Sequence, residues 1–114
     1  MSETLIIEDD VDLAELIKEN LESAGYKVYI AYTGSQGINI FNNKNPDAIT
    51  LDMHLPDIDG LDLLKMFKEN GKSILIVVTC DDAMEEKSKD YNADGFISKP
   101  INFSKLKELL KSKV

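Results

Sequence analysis

Short apolar runs and longer stretches of helical period alternate five times along this 114-residue chain, with no linker, internal repeat or low-complexity segment between them. Strands joined by single helices must run parallel, and a parallel sheet needs helices on both faces, so the alternation specifies an α/β domain. Leu5-Ile6-Ile7, Val28 to Ala31, Ala48 to Leu51, Ile74 to Val78 and Gly95 to Ile97 read as the strands.

The helical segments carry their own start and stop signals. Asp12 with Glu15 has the spacing of a capping box and opens a first helix whose inner face is Leu13, Leu16, Ile17, Leu21 and Ala24, with Gly25 as its stop. Thr33 with Gln36 opens a second, whose apolar side carries Ile38 and Phe41 and which Pro46 ends. Leu61, Leu64 and Phe67 share one face of a third that ends at Gly71. A polar fourth helix runs from about Ala83 to Tyr91, and Asn102 caps a fifth bearing Phe103, Leu106, Leu109 and Leu110. Right-handed crossovers and five strands favour a doubly wound, flavodoxin-like order 2-1-3-4-5, whose ligand crevice lies between the first and third strands. Residues 1–114 are expected to form one domain, with no effector domain appended.

Charge excludes several functions. Thirteen basic against twenty-one acidic residues give a net charge of −8, which opposes direct binding to nucleic acid or to an anionic membrane surface. All thirteen basic residues are lysine, so a bidentate guanidinium grip on phosphate is excluded within the chain. The single cysteine, Cys80, excludes an internal disulfide and reads as a small buried hydrophobe. No twenty-residue apolar run is present, and Met1-Ser2-Glu3-Thr4 lacks the basic segment of a secretion signal, so a cytoplasmic location is expected.

Polar residues that end parallel strands project into the ligand crevice. The first strand delivers Glu8-Asp9-Asp10, the third Asp52, the fourth Thr79 and the fifth Lys99-Pro100. Clustered carboxylates repel one another and call for a shared cation, and an oxygen-only set suits Mg²⁺ or Mn²⁺. Beside a lysine and a hydroxyl, such a set points to phosphoryl transfer with a carboxylate nucleophile. Asp52 is the expected nucleophile, with Asp9 holding the metal directly and Glu8 through water. The bland alternatives are a turn residue for Asp52, helix-dipole partners for Asp9 and Asp10, a snorkelling Lys99 and a strand-end hydroxyl for Thr79. Those readings leave unexplained why all four sit at the ligand-binding ends.

These residues resemble the receiver domain of two-component response regulators over essentially the whole chain. The resemblance is carried by Ile6-Ile7-Glu8-Asp9-Asp10, by Asp52-Met53-His54-Leu55-Pro56 with Gly60 four beyond the proline, by Val77-Val78-Thr79 and by Ser98-Lys99-Pro100. It implies that Asp52 accepts a phosphoryl group from a histidine kinase or phosphotransfer protein. It further implies that Glu8, Asp9, Asp52 and the backbone carbonyl of His54 hold Mg²⁺, while Lys99 and Thr79 bind the phosphate. It implies a switch in which Thr79 and Phe96 move and alter the surface offered to a downstream target protein, and a cis bond before Pro100. Phe96 stands where the family often has tyrosine. The domain would be regulatory, its only catalysis being its own phosphorylation and dephosphorylation.

Two alternatives remain. A Mg²⁺-dependent phosphohydrolase would share the aspartyl nucleophile, but His54 stands where one such group, the haloacid-dehalogenase-like phosphatases, has aspartate. A phosphate-independent interaction module is the other. Asp57-Ile58-Asp59-Gly60 hints at a calcium loop, yet Leu55 takes its first ligand position. His54, the sole histidine, is expected to keep a solvated ring. The fourth helix has only Met84 and Tyr91 as sizeable apolar residues, so it should be weakly anchored.

Overall fold

A computed structural model of the protein describes residues 2–113. Its elements are β1 (Glu3–Ile7), α1 (Val11–Ser23), β2 (Lys27–Ala31), α2 (Gly34–Lys44), β3 (Ala48–Leu51), α3 (Gly60–Asn70), β4 (Ile74–Thr79), α4 (Met84–Asp90), β5 (Gly95–Ser98) and α5 (Phe103–Lys113). The five strands are parallel in the order β2-β1-β3-β4-β5, the doubly wound topology expected.

Strand alternation divides the core into two layers, because successive side chains point to opposite faces. Leu5, Ile7, Ile49, Leu51, Leu75 and Val77 meet Phe41 of α2 and Leu63, Leu64 and Phe67 of α3. Ile6, Ala48, Ile76 and Val78 meet Ala14, Ile17 and Leu21 of α1 and Leu106 and Leu110 of α5. Covered on both sides, β3 is buried throughout, which accounts for its unbroken apolar character.

Four local readings need correction. The cap of α1 is Asp10, whose side chain accepts from the Leu13 amide at 3.1 Å, because the helix already begins at Val11. With that phase Ala14, Ile17 and Leu21 face the sheet, while Leu16, one position from Ile17 and so about 100° around the helix, is 45% exposed. Ala24 is exposed at the C-cap. Gly71 does end α3, as expected, though in an extended conformation, and it also provides space: a Cβ there would come within 2.7 Å of the Phe41 ring. Cys80 is exposed, since it lies one residue past the end of β4 where the chain leaves the sheet.

Other signals act as read. Thr33 accepts from the Gln36 amide at 3.1 Å, Asn102 accepts from the Lys105 amide at 3.1 Å, and Gly25 takes the left-handed φ of +95° that ends α1. In α4 only Ser88 is buried, so this helix is held by little apolar contact.

Gly60 positions the segment that follows Asp52. A Cβ at this residue would lie 2.5 Å from Met53 Cα and 2.7 Å from its carbonyl oxygen, and backbone cannot yield as a side chain can. Gly60→Ala is therefore expected to lower the unfolding free energy by roughly 1–3 kcal/mol in urea titrations with an unchanged m-value. A loss below about 0.5 kcal/mol would mean that the close approach is not a constraint.

Candidate functional site

The carboxyl ends of β1, β3, β4 and β5 meet at one edge of the sheet. Glu8 follows β1 directly, and its amide donates to the Ala31 carbonyl at 3.0 Å, which keeps the backbone in line with the strand. Asp52 follows β3 and its amide donates to the Ile7 carbonyl at 3.0 Å. These ladder bonds set the two carboxylates side by side, and both are buried. Asp9 is exposed, and one ligand oxygen from each of Glu8, Asp9 and Asp52 lies within 4.8 Å of the other two.

Lys99 reaches this cluster from the end of β5. Its amide donates to the Thr79 carbonyl at 3.0 Å, and the following peptide bond to Pro100 is cis, as the resemblance implies. The ammonium Nζ lies 2.8 Å from Glu8 Oε1 and 3.5 Å from Asp52 Oδ2. Asp52 Oδ1 accepts from the His54 amide at 3.1 Å, and Glu8 Oε2 accepts from the Asp10 amide at 3.2 Å.

Thr79 is fully buried at the end of β4, where its hydroxyl accepts from the Asp81 amide at 3.3 Å. The His54 ring is exposed, as expected, and its Nε2 lies 3.4 Å from Asp81 Oδ2. Phe96 does not join the cluster. It is half-buried on β5, against the core layer that contains α3.

Glu8, Asp9, Asp52 and Lys99 are thus brought together as expected from their strand ends. Asp10, read as a possible helix-dipole partner, sits at that helix N-terminus as its cap; Asp81 went unread as a supporting group. Nothing local marks Asp81 as a partner of His54, 27 positions away in the chain.

One ammonium meets the two buried carboxylates, and burial shows in the proton affinity of Glu8. Burial pushes its carboxyl up to about 7 from an ordinary 4.5; Lys99 opposes the rise and the neighbouring Asp52 carboxylate adds to it. Burial pulls the Lys99 ammonium down, but Glu8 and Asp52 outweigh it and leave the pKa above the ordinary 10.5.

Glu8 Oε1 is a buried oxygen whose charge is met by the Lys99 ammonium at 2.8 Å. An oxygen-only set of acidic donors fits a hard divalent cation, which the three carboxylates could hold. The mouth of the site is a cleft of about 420 Å³ lined by Asp9 and by residues 53–59.

Because folding raises the Glu8 pKa, the folded state binds its proton more tightly than the unfolded chain does. The resulting stability is present below the ordinary pKa of 4.5 and is lost as pH rises through about 7. Metal-free protein is expected to lose on the order of 3 kcal/mol across that window, as followed by urea unfolding. Glu8→Gln should flatten the profile; equal slopes in the two proteins would contradict the assignment. The raised Lys99 pKa contributes stability that is lost only in the alkaline range above 10.5, outside this window.

Comparison with known proteins agrees with this geometry. Residues 4–111 match the family described as the response regulator receiver domain. The response regulator ArlR of Staphylococcus saprophyticus is 34% identical over 108 residues, which cover 93% of this chain and 49% of ArlR. The response regulator MprA of a Mycobacterium species is 30% identical over 105 residues, covering 90% of this chain and 46% of MprA. The chain therefore spans about half the length of these relatives. Among solved structures, a CheY-like receiver domain protein of Methanospirillum hungatei superposes with a TM-score of 0.92 at 33% identity, over 99% of this chain and 93% of that one. The regulator TrrA of Thermotoga maritima, solved with Mg²⁺ and BeF, superposes with a TM-score of 0.92 at 29% identity over the whole of both chains. The chain belongs to the response regulator receiver domain family.

Proposed function

We propose that the protein is a phosphorylation-dependent signalling switch in which Asp52 accepts a phosphoryl group from a histidine kinase or phosphotransfer protein. The observation that carries this reading is the buried Asp52 carboxylate, 3.5 Å from the Lys99 ammonium and within 4.8 Å of Glu8 and Asp9 oxygens. The binding of Mg²⁺ and BeF by TrrA, whose chain superposes on this one throughout, supports it.

In this reading an Asp52 oxygen attacks phosphorus of a phosphohistidine. The new O–P bond forms as the P–N bond breaks, and the imidazole leaves with the bonding pair. The His54 amide on Asp52 Oδ1 and the Lys99 ammonium on Oδ2 orient the carboxylate for attack. Lys99 then takes one phosphoryl oxygen as its ammonium turns from the carboxylates. The Thr79 hydroxyl donates to another, and Phe96 on the neighbouring β5 follows, changing the face seen by a downstream target protein.

Glu8, Asp9, Asp52 and the His54 carbonyl would hold Mg²⁺, which when bound neutralises charge on the phosphoryl oxygens. Catalysis by the chain extends only to its own phosphorylation and dephosphorylation.

Residues 1–114 act in this reading as a receiver unit in the cytoplasm; no helix among the described residues is long and apolar enough to cross a membrane. A net charge of −8 assigns any DNA contact made by a longer regulator to a segment other than this one.

Incubation with acetyl phosphate and Mg²⁺ is expected to label Asp52, as read by intact mass and peptide mapping. Chelation and the Asp52→Asn substitution should each abolish the label. Unchanged labelling of the variant would place the nucleophile elsewhere, and sustained turnover of small phosphate esters would favour a phosphohydrolase.

A further inference from the structure

The cleft wall formed by residues 53–59 carries a carboxylate that the phosphorylation chemistry does not use. Asp57 lies at the outer end of this loop, and its side chain leaves the loop to meet the start of α2. Its Oδ1 accepts from the Gly34 amide at 2.8 Å, and its Oδ2 accepts from the Ser35 amide at 3.0 Å and the Ser35 hydroxyl at 2.9 Å. These donors hold its carboxyl below the usual carboxylate range. Gly34 is buried against the same loop, since a Cβ there would come within 3.0 Å of Ile58 and 3.1 Å of Asp57 Oδ1.

The inner end of the loop is held differently. His54 and Asp59 form an isolated antiparallel bridge, Asp59 accepts from the Leu61 amide at 2.8 Å, and Gly60 packs on Met53. The loop is therefore a short closed turn with its base against Asp52 and its tip tied to α2. A tilt of the tip would rotate the bridge at the base, and with it the His54 peptide, whose amide donates to Asp52 Oδ1.

We propose that Asp57 is a positioning residue for phosphorylation at Asp52: by anchoring the loop tip to Gly34 and Ser35 it fixes the His54 peptide, with its amide on Asp52 and its carbonyl available to the metal. The proposal rests on the functional reading above. Asp57 touches neither phosphate nor metal, so its removal should alter how readily the site assembles and leave the identity of the phosphorylated residue unchanged. Three of the bonds that hold the tip involve a charged acceptor, and such bonds are stronger than neutral ones.

The test compares wild type, Asp57→Asn and Asp57→Ala by amide hydrogen exchange in metal-free protein and by Mg²⁺ titration followed through amide shifts. In Asp57→Ala the His54 amide is expected to exchange roughly tenfold faster, the response to about 1.4 kcal/mol of lost local stability. Outer-shell groups bonded directly to a ligand are worth about 10–100-fold in metal affinity, so a group one step further out should weaken Mg²⁺ binding by roughly threefold to tenfold. Asp57→Asn, which keeps one acceptor oxygen, should fall between. Faster exchange at Gly34 and Ser35 with unchanged His54 exchange and unchanged Mg²⁺ affinity would overturn the proposal and leave Asp57 a purely local tie. If the wild-type chain bound no Mg²⁺, the phosphorylation reading would fail instead, while His54 exchange would still decide the positioning role.

Discussion

Negative charge crowded at the end of a buried sheet is the constraint around which the molecule is organised. Glu8 and Asp52 are buried side by side, Asp9 stands at their rim, and the Lys99 ammonium touches the first two. Burial in a partly desolvated pocket, with the Asp52 carboxylate beside it, makes Glu8 hold its proton more tightly than an ordinary carboxyl even with the Lys99 ammonium in contact. In the proposed function a divalent ion relieves that strain and, with it, the pocket receives a phosphoryl group.

The fold makes this crowding possible by stiffness. Strands β1 and β3 are covered by helices on both faces, and their ladder continues into Glu8 and Asp52 through amide bonds to Ala31 and Ile7. The carboxylates cannot separate without breaking sheet hydrogen bonds. Away from the sheet the restraint is weaker. The β4–α4 connection hangs on polar contacts, with Asp81 near His54 and Asp82 accepting from the Ser98 hydroxyl at 2.5 Å, and α4 buries only Ser88. In the proposed function such elements shift when Thr79 changes partners, because little apolar burial opposes them. Rigid charge and a loosely held neighbour are the two halves of that proposed switch.

Much of this was legible in the chain because it depends on local pattern. Unbroken apolar runs such as Ile74 to Val78 mark strands covered on both faces, and polar residues at their ends mark the crevice, so the pattern alone brings Glu8, Asp9, Asp52 and Lys99 together. Less was legible where three-dimensional packing decides. Leu16 satisfies a helical period yet faces solvent, because the phase of α1 follows from its start after Asp10 and from the small Ala14 against the sheet. Gly71 reads as a helix stop, and it is one, but its second role of admitting the Phe41 ring carries no local signal. Asp57 looks like a fragment of a calcium loop, and its bonds to Gly34 and Ser35 cross more than twenty residues that carry no pairing signal.

The central claim is that the acidic cluster is destabilised by its own charge and completed by a divalent cation. Thermal unfolding of wild type and Asp9→Asn near neutral pH, with and without Mg²⁺, tests it most directly. Removing one of the repelling carboxylates should make metal-free Asp9→Asn the more stable protein, and saturating Mg²⁺ should reverse the order by stabilising wild type far more than the variant. An unchanged order of stability in the two conditions, with equal responses to Mg²⁺, would contradict the account.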